Sequence, residues 1–149
     1  MQIREFEPDD FGKGFFDTLS NLSTSKIFID NALKAFEDMK KSGCYKIFVM
    51  VEDDKIIGTV TLFLEQKFIH DAGIVGHIED VATRKGWEGK GIGSRLIKHA
   101  MDKAGHLGCY KIILDCGEHN IQFYEKQGFH KHEICMRYDI KKVIFNEAH

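Results

Sequence analysis

The sequence predicts an α/β fold, a central mixed β-sheet flanked by helices within a single domain, residues 1–149. Segments rich in Val, Ile, Phe and Thr, such as 55–65 and 74–83, are interleaved with stretches whose apolar residues recur at helical spacing. The stretch Trp87-Glu88-Gly89-Lys90-Gly91-Ile92-Gly93-Ser94 runs straight into one of these, with Ile92, Leu96, Ile97, Ala100, Met101, Ala104 and Leu107 on one face. The element order β-α-α-β-β-β-α-β-α-β reads as a mixed sheet with helices on both faces.

In chain order, residues 2–6 read as a short strand, followed by a helix over about 9–22 with Phe11, Phe15, Phe16, Leu19 and Leu22 on one face. Ser23-Thr24-Ser25 is a loop, and a second helix spans about 30–41, ended by Gly43. Residues 46–52 and 55–65 form a hairpin through Asp53-Asp54, and a third strand covers 74–83. After the glycine loop and its helix, Gly108 stops the helix and 110–116 returns as a strand. A short helix over 120–127 ends at Gly128, and 129–139 supplies a last strand.

Composition narrows the function classes. The chain is 43% hydrophobic and 30% charged with a formal net charge of −2, so nothing marks it for nucleic acid or an anionic membrane. No apolar run approaches the ~20 residues of a membrane span, and Met1-Gln2-Ile3-Arg4-Glu5 does not open a signal peptide. Cys44, Cys109, Cys116 and Cys135 form no C-x-x-C pair and read as reduced thiols of a cytoplasmic protein. The eight histidines show no ligand spacing, so no metal is expected. No Ser/His/Asp or Cys/His pairing has a supporting motif, which argues against a covalent acyl-enzyme.

The glycine loop is the chemical signal. Alternate glycines open backbone conformations closed to other residues, and the N–H groups at the start of the following helix favour an anion such as a pyrophosphate. A tight turn without a ligand is the plain alternative. The run lacks the lysine of G-x-x-x-x-G-K-[ST] and is one residue short of G-x-G-x-x-G, so neither a Walker NTPase nor a dinucleotide fold is indicated. Upstream, Glu79 and Asp80 are adjacent on a predicted strand, with side chains expected on opposite faces. A phosphate cradle beside carboxylates reads as a transferase site.

The element order, with Glu88-Gly89-Lys90-Gly91-Ile92-Gly93 leaving the central strand, resembles the GNAT superfamily of acetyl-CoA-dependent N-acetyltransferases, whose signature is [QR]-x-x-G-x-[GA]. Glu88 departs from it, and an anion there is electrostatically awkward beside a pyrophosphate. Three further blocks look like the eukaryotic glucosamine-6-phosphate N-acetyltransferases. They are Gly76-His77-Ile78-Glu79-Asp80-Val81, the run Gly108-Cys109-Tyr110-Lys111-Ile112-Ile113-Leu114-Asp115-Cys116 continuing to Asn120-Ile121-Gln122-Phe123-Tyr124-Glu125-Lys126-Gln127-Gly128-Phe129, and Lys67-Phe68-Ile69-His70.

The resemblance implies a fold, a reaction and a site. Acetyl-CoA would lie against Val81, Ala82, Thr83, Gly89, Lys90, Gly91, Ile92, Gly93, Ser94, Asn120 and Tyr124. Glucosamine 6-phosphate would meet Ser23, Lys67, Phe68, Ile69, His70, Glu79, Asp80, Tyr110, Lys111, Asp115 and Arg137. Glu79 and Asp115 would orient the attacking amine, and the Tyr124 phenol would donate to the departing thiolate, stabilising charge that develops only in the transition state. Read from the residues alone, Asn120 is by default a helix cap, and the plain alternatives are a turn cap for Asp115 and a core aromatic for Tyr124. The resemblance also implies a homodimer in which Tyr110-Lys111 reaches a neighbouring subunit's site, and a product on the way to UDP-N-acetylglucosamine.

Two rival functions remain open on sequence. Another amine acceptor, a polyamine or a protein amine, would want an acidic cleft and no use for Lys67, His70, Lys111 and Arg137. A non-catalytic acyl-CoA-binding module would explain Glu88 but not the presence of Tyr124 beside both acidic positions.

Overall fold

The computed structural model describes residues 1–22 and 27–141. It has two compact units, Met1–Leu114 and Asp115–His149. The first is a five-stranded sheet in the order β1 (Gln2–Glu5), β2 (Tyr45–Glu52), β3 (Lys55–Gln66), β4 (Ile74–Thr83), β5 (Cys109–Ile113). The first three pairings are antiparallel and β4–β5 is parallel. The parallel step requires a crossover, which is made by α4 (Ile92–His106). Helices α1 (Phe15–Leu19) and α2 (Ile29–Ser42) lie between β1 and β2 in the chain, and a single turn α3 (Ile69–Ala72) joins β3 to β4.

Both faces of the sheet are covered. On one, Val49 and Ile56 pack with Phe6 and Phe15, joined by Phe11, Phe16 and Phe36. Ring centroids of Phe6 and Phe15 are 4.6 Å apart and those of Phe6 and Phe36 5.0 Å, arrangements that add about 0.5–1.5 kcal/mol per pair beyond burial. The buried Thr18 hydroxyl donates to Ile56 O at 2.8 Å, tying α1 to β3. On the other face α4 buries Ile92, Leu96, Ile97, Ala100 and Ala104, and His99 meets the Phe48 ring at 4.6 Å. Gly58 of β3 permits the close approach: a Cβ there would lie 2.5 Å from Ile92 Cγ2 and 2.8 Å from Leu96 Cδ1.

Four expectations are corrected. The single helix over 9–22 is two pieces, a 3₁₀ helix at Pro8–Gly12 and α1, because Gly14 between them is left-handed at φ 87° and an α-helix cannot run through it. The strand expected over 110–116 ends at Ile113, where its pairing to β4 stops, so Asp115 lies past the strand end. The helix expected over 120–127 is a 3₁₀ turn, Glu118–Asn120, followed by α5 (Ile121–Lys126). The last strand, 129–139, is absent from the described sheet. Alternating apolar residues suit a strand, but a strand exists only as a ladder, and here Ile134 and Met136 are each 87% exposed.

Candidate active site

The end of β4 departs from regular pairing. Its pairing with β5 ends at His77↔Ile113, whereas its pairing with β3 continues to Thr83, so from Ile78 onward one edge of β4 has no strand partner among the described residues. In the same stretch Thr59↔Ala82 and Thr61↔Glu79 set two steps on β3 against three on β4, a bulge with Asp80 left-handed at φ 49°. The strict alternation assumed for Glu79 and Asp80 therefore does not hold, and both side chains are exposed. Val81, Ala82 and Thr83 occupy the strand end immediately before the glycine loop.

The loop fits an anion. Gly89 and Gly91 have φ of 76° and 77°, and nothing lies within 4 Å of where their Cβ atoms would be. Gly91 is the N-cap of α4, whose first turn holds no acidic residue. The opening N–H groups of that helix have no intrahelical acceptor and stand at the positive end of its dipole. Lys90 sits 5.0 Å from the Trp87 ring centroid, a cation–π contact that fixes the loop's one lysine.

Glu88 is absorbed by the loop itself. Its Oε2 accepts from Gly86 N at 2.8 Å and its Oε1 from Asn21 Nδ2 at 3.0 Å. Its own backbone N–H, that of Gly86, and Asn21, with Lys85 nearby, hold the carboxyl below its usual range against a small cost of burial. The sequence flags Glu88 only as a departure and gives no signal for Asn21, which lies 67 positions away.

A second group gathers around Tyr110. The His70 ring is stacked 4.2 Å from the Tyr110 ring, and Lys111 Nζ is 5.8 Å from the same centroid. Gly73 allows this approach, since a Cβ there would lie 2.6 Å from the tyrosine ring. The Tyr110 hydroxyl is buried without a hydrogen-bond partner among the described residues. The turn that carries His70 is strained: His70, Asp71 and Ala72 are all left-handed at φ 53°, 54° and 59°, each costing about 1–3 kcal/mol. Gln66 Nε2 holds it closed by donating to Ala72 O at 2.8 Å. At its tip Phe68 is fully exposed and Ile69 largely so.

Lys67 is drawn elsewhere. Its Nζ lies 3.2 Å from Glu65 Oε2, and His77 Nε2 is 2.9 Å from Glu65 Oε1. Those two hydrogen bonds, His77 first and then Lys67, keep the Glu65 carboxyl below its usual range.

In the second unit Asp115 is exposed and Asn120 occupies the N-cap of α5 without a side-chain cap bond. Tyr124 is half-buried, edge-on to Phe123 at 4.9 Å and Phe129 at 5.9 Å. Burial, with the nearby Cys116, pushes its phenol above the ordinary value, so it stays protonated at neutral pH. Arg137 Nε donates to Asp139 Oδ1 at 2.8 Å on the surface. Ser23 lies outside the described residues. Among the described residues no group of three His, Cys, Asp or Glu is placed to hold a metal, and no helix is long and apolar enough to cross a membrane.

Known proteins match this arrangement along nearly the whole chain. The chain is 38% identical over 139 residues to glucosamine 6-phosphate N-acetyltransferase 1 of Dictyostelium discoideum, covering 91% of this chain and 88% of that one. The crystal structure of glucosamine-6-phosphate N-acetyltransferase from Arabidopsis thaliana superposes with a TM-score of 0.90 at 34% identity, over 94% of this chain and 98% of that one. An acetyltransferase structure from Trypanosoma brucei gives 0.86 at 32% identity, over 93% and 99%. Residues 4–129 match the model of the acetyltransferase (GNAT) family. The bulged, half-free end of β4, the open glycine loop and this match lead to one conclusion: the chain belongs to the GNAT family of acetyltransferases.

Proposed function

We propose that this enzyme transfers the acetyl group of acetyl-CoA to the 2-amino group of glucosamine 6-phosphate, giving N-acetylglucosamine 6-phosphate and CoA. The observation that carries the reading is the near full-length likeness, at 32–38% identity, to proteins from slime mould, plant and trypanosome named for that reaction. The family match across residues 4–129 supports treating both compact units as one catalytic domain.

The residues present suit acetyl-CoA. The N–H groups of Gly89, Lys90, Gly91, Ile92, Gly93 and Ser94 hold the pyrophosphate, and the edge of β4 at Val81, Ala82 and Thr83, apart from Thr83 O, which accepts from Asn21, offers backbone hydrogen bonds to the amide-bearing arm. Asn120 adds a side-chain amide. Acetyl-CoA supplies an activated acyl group, and the chain supplies position and charge. Glu79, Asp80 and Asp115 attract and orient the acceptor amine. The uncharged amine nitrogen bonds to the thioester carbonyl carbon, the C–S bond breaks, and the nitrogen releases one proton, which returns through solvent to Tyr124 once that phenol has protonated the sulfur. The Tyr124 phenol, held protonated by burial, donates its proton to the leaving sulfur. Holding both reactants in one complex makes the attack effectively intramolecular.

His70, Tyr110 and Lys111 are the core of the acceptor-binding group, to which the family resemblance adds Lys67, Phe68, Ile69, Arg137 and Ser23. A homodimer completes it. Ile134, Met136, Tyr138 and Ile140 alternate along an exposed segment that a second copy would cover as a paired strand, and β5 keeps an unpaired edge in the described sheet. The product feeds UDP-N-acetylglucosamine synthesis in the cytoplasm.

The test is thiol release from acetyl-CoA with glucosamine 6-phosphate, glucosamine and spermidine as acceptors. Each lost charge-assisted hydrogen bond to phosphate is worth about 1.5–3 kcal/mol, so kcat/KM for glucosamine falls at least tenfold below that for its 6-phosphate. Equal values, or preference for spermidine, would sink the assignment.

A further inference from the structure

Asn21 makes a clip that the reaction described so far does not use. Its single side-chain nitrogen donates both hydrogens, one to Thr83 O at 2.7 Å at the end of β4 and one to Glu88 Oε1 at 3.0 Å. The other Glu88 oxygen closes the turn before the glycine loop by accepting from Gly86 N at 2.8 Å. A parallel link runs beside it, from Arg84 Nη1 to Gly14 O at 3.4 Å and Arg84 Nη2 to Asp17 Oδ2 at 3.6 Å. The chain leaving α1 is thus fastened to the turn before the glycine loop and to the end of β4, three residues past the left-handed Asp80 that the proposed function assigns to the acceptor.

The chemistry of the clip needs a carboxylate. Asn21 presents only N–H to its two partners, so both must be acceptors. A glutamine at 88 has one acceptor oxygen; used on Gly86 N–H, it turns an NH2 toward the NH2 of Asn21. Flipping Asn21 to offer its oxygen would abandon Thr83 O. The glutamine or arginine usual in the family signature therefore cannot make this three-point contact, and Glu88 can.

We propose that Glu88 is a positioning residue which, through Asn21, holds the segment leaving α1 against the end of β4 and couples the order of the cofactor loop to acceptor binding. This rests on the acetyltransferase reading above. The acid at the signature's first position then strengthens the acceptor side, while its negative charge is spent on local donors.

The effects on the two substrates separate. Glu88→Gln retains an acceptor for Gly86 N–H and removes a charge near the cofactor, so acetyl-CoA affinity by titration calorimetry at low salt is equal or tighter. Its KM for glucosamine 6-phosphate rises about five- to tenfold with kcat within about twofold, a loss of uniform acceptor binding. Asn21→Ala, which also loses the bond to Thr83 O, gives at least that rise, and the Glu88→Gln/Asn21→Ala double variant rises no further than Asn21→Ala, because the contact between the two side chains is already lost in it. Additive effects of the two changes, an unmoved acceptor KM, or weakened acetyl-CoA binding in Glu88→Gln would each overturn the proposal.

Amide hydrogen exchange reads the clip without turnover. Gly86 N–H and the Asn21 side-chain NH2 exchange slowly in the parent, and both exchange faster by about tenfold or more in Glu88→Ala, as expected when a protecting hydrogen bond is lost. Equal exchange in parent and variant would overturn the clip. A parent that leaves glucosamine 6-phosphate unacetylated overturns the functional reading instead, and the exchange rates still decide the clip.

Discussion

Gly58 and Ile92 are in such close contact that the α-carbon of one has room for nothing but hydrogen. An added Cβ at 58 would stand 2.5 Å from Ile92 Cγ2, and Ile92 is both fully buried and the first residue of the helix that follows the glycine loop. The spacing between β3 and the start of α4 is thus set by one hydrogen atom.

Gly58→Ala should therefore destabilise by about 1–3 kcal/mol through overpacking, and should weaken acetyl-CoA binding because the start of α4 has to move. Gly105→Ala in the same helix meets nothing within 4 Å and should instead stabilise by about 0.5–1 kcal/mol. Melting temperature and calorimetric affinity of the two variants together check this. A Gly58→Ala protein as stable as the parent would mean that α4 is loosely seated.

Arg4 and Asp10 form a two-pronged pair, with both N···O distances 2.7 Å and no exposure of the Asp10 side chain. Burial alone would push the Asp10 carboxyl up. The Arg4 hydrogen bonds, the Glu7 N–H and the charges of Arg4 and Lys13 outweigh it and hold the carboxyl below its usual range. A depressed folded value means that the stabilisation is complete above the unfolded carboxylate value of about 3.9 and is lost as pH falls through the folded one. Asp10→Asn should cost about 3 kcal/mol at pH 7, the lower end for a broken buried pair, because Arg4 keeps 24% of its side chain exposed. Urea denaturation from pH 7 to 2 should show parent and variant converging at the acid end. A gap that stays constant through that range would refute the linkage.

Tyr124→Phe keeps the ring contacts with Phe123 and Phe129 and removes only the hydroxyl. The expected result is a fall in kcat of roughly 10²–10³ with acetyl-CoA affinity and melting temperature unchanged, since the lost interaction belongs to the transition state. In the parent, the raised phenol value keeps the donor protonated until the pH exceeds the ordinary tyrosine range, so no loss of donor is expected near neutrality. Unaltered kcat in the variant would return Tyr124 to the role of a packing aromatic.

What the sequence shows depends on how local the cause is. The strand read over 74–83 is β4, Ile74–Thr83, and the helix after the glycine loop is placed by its apolar spacing, because both patterns are carried by neighbouring side chains. The Asp53-Asp54 hairpin is equally local, with both residues left-handed at φ 49° and 59° as a tight two-residue turn demands. Gly14 was there to be read as a helix break, but the phenylalanine stripe running past it masks the break. The bulge at Asp80 has no signature in alternation, since an extra residue is defined only against its partner strand. The clip between Asn21 and Glu88 joins positions 67 apart and leaves no trace in either neighbourhood. The tail pattern at Ile134, Met136 and Tyr138 announces a strand without naming its partner.

The sheet order also carries a history. β2, β3 and β4 are consecutive antiparallel neighbours whose connections are short, so their ladders close early at little entropic cost. The parallel pairing of β4 with β5 must wait for residues 84–108 to emerge and for α4 to pack across the sheet. As the chain leaves the ribosome, β2, β3 and β4 are therefore free to pair first, and β5, which carries Tyr110 and Lys111, joins only with the crossover that also sets the glycine loop.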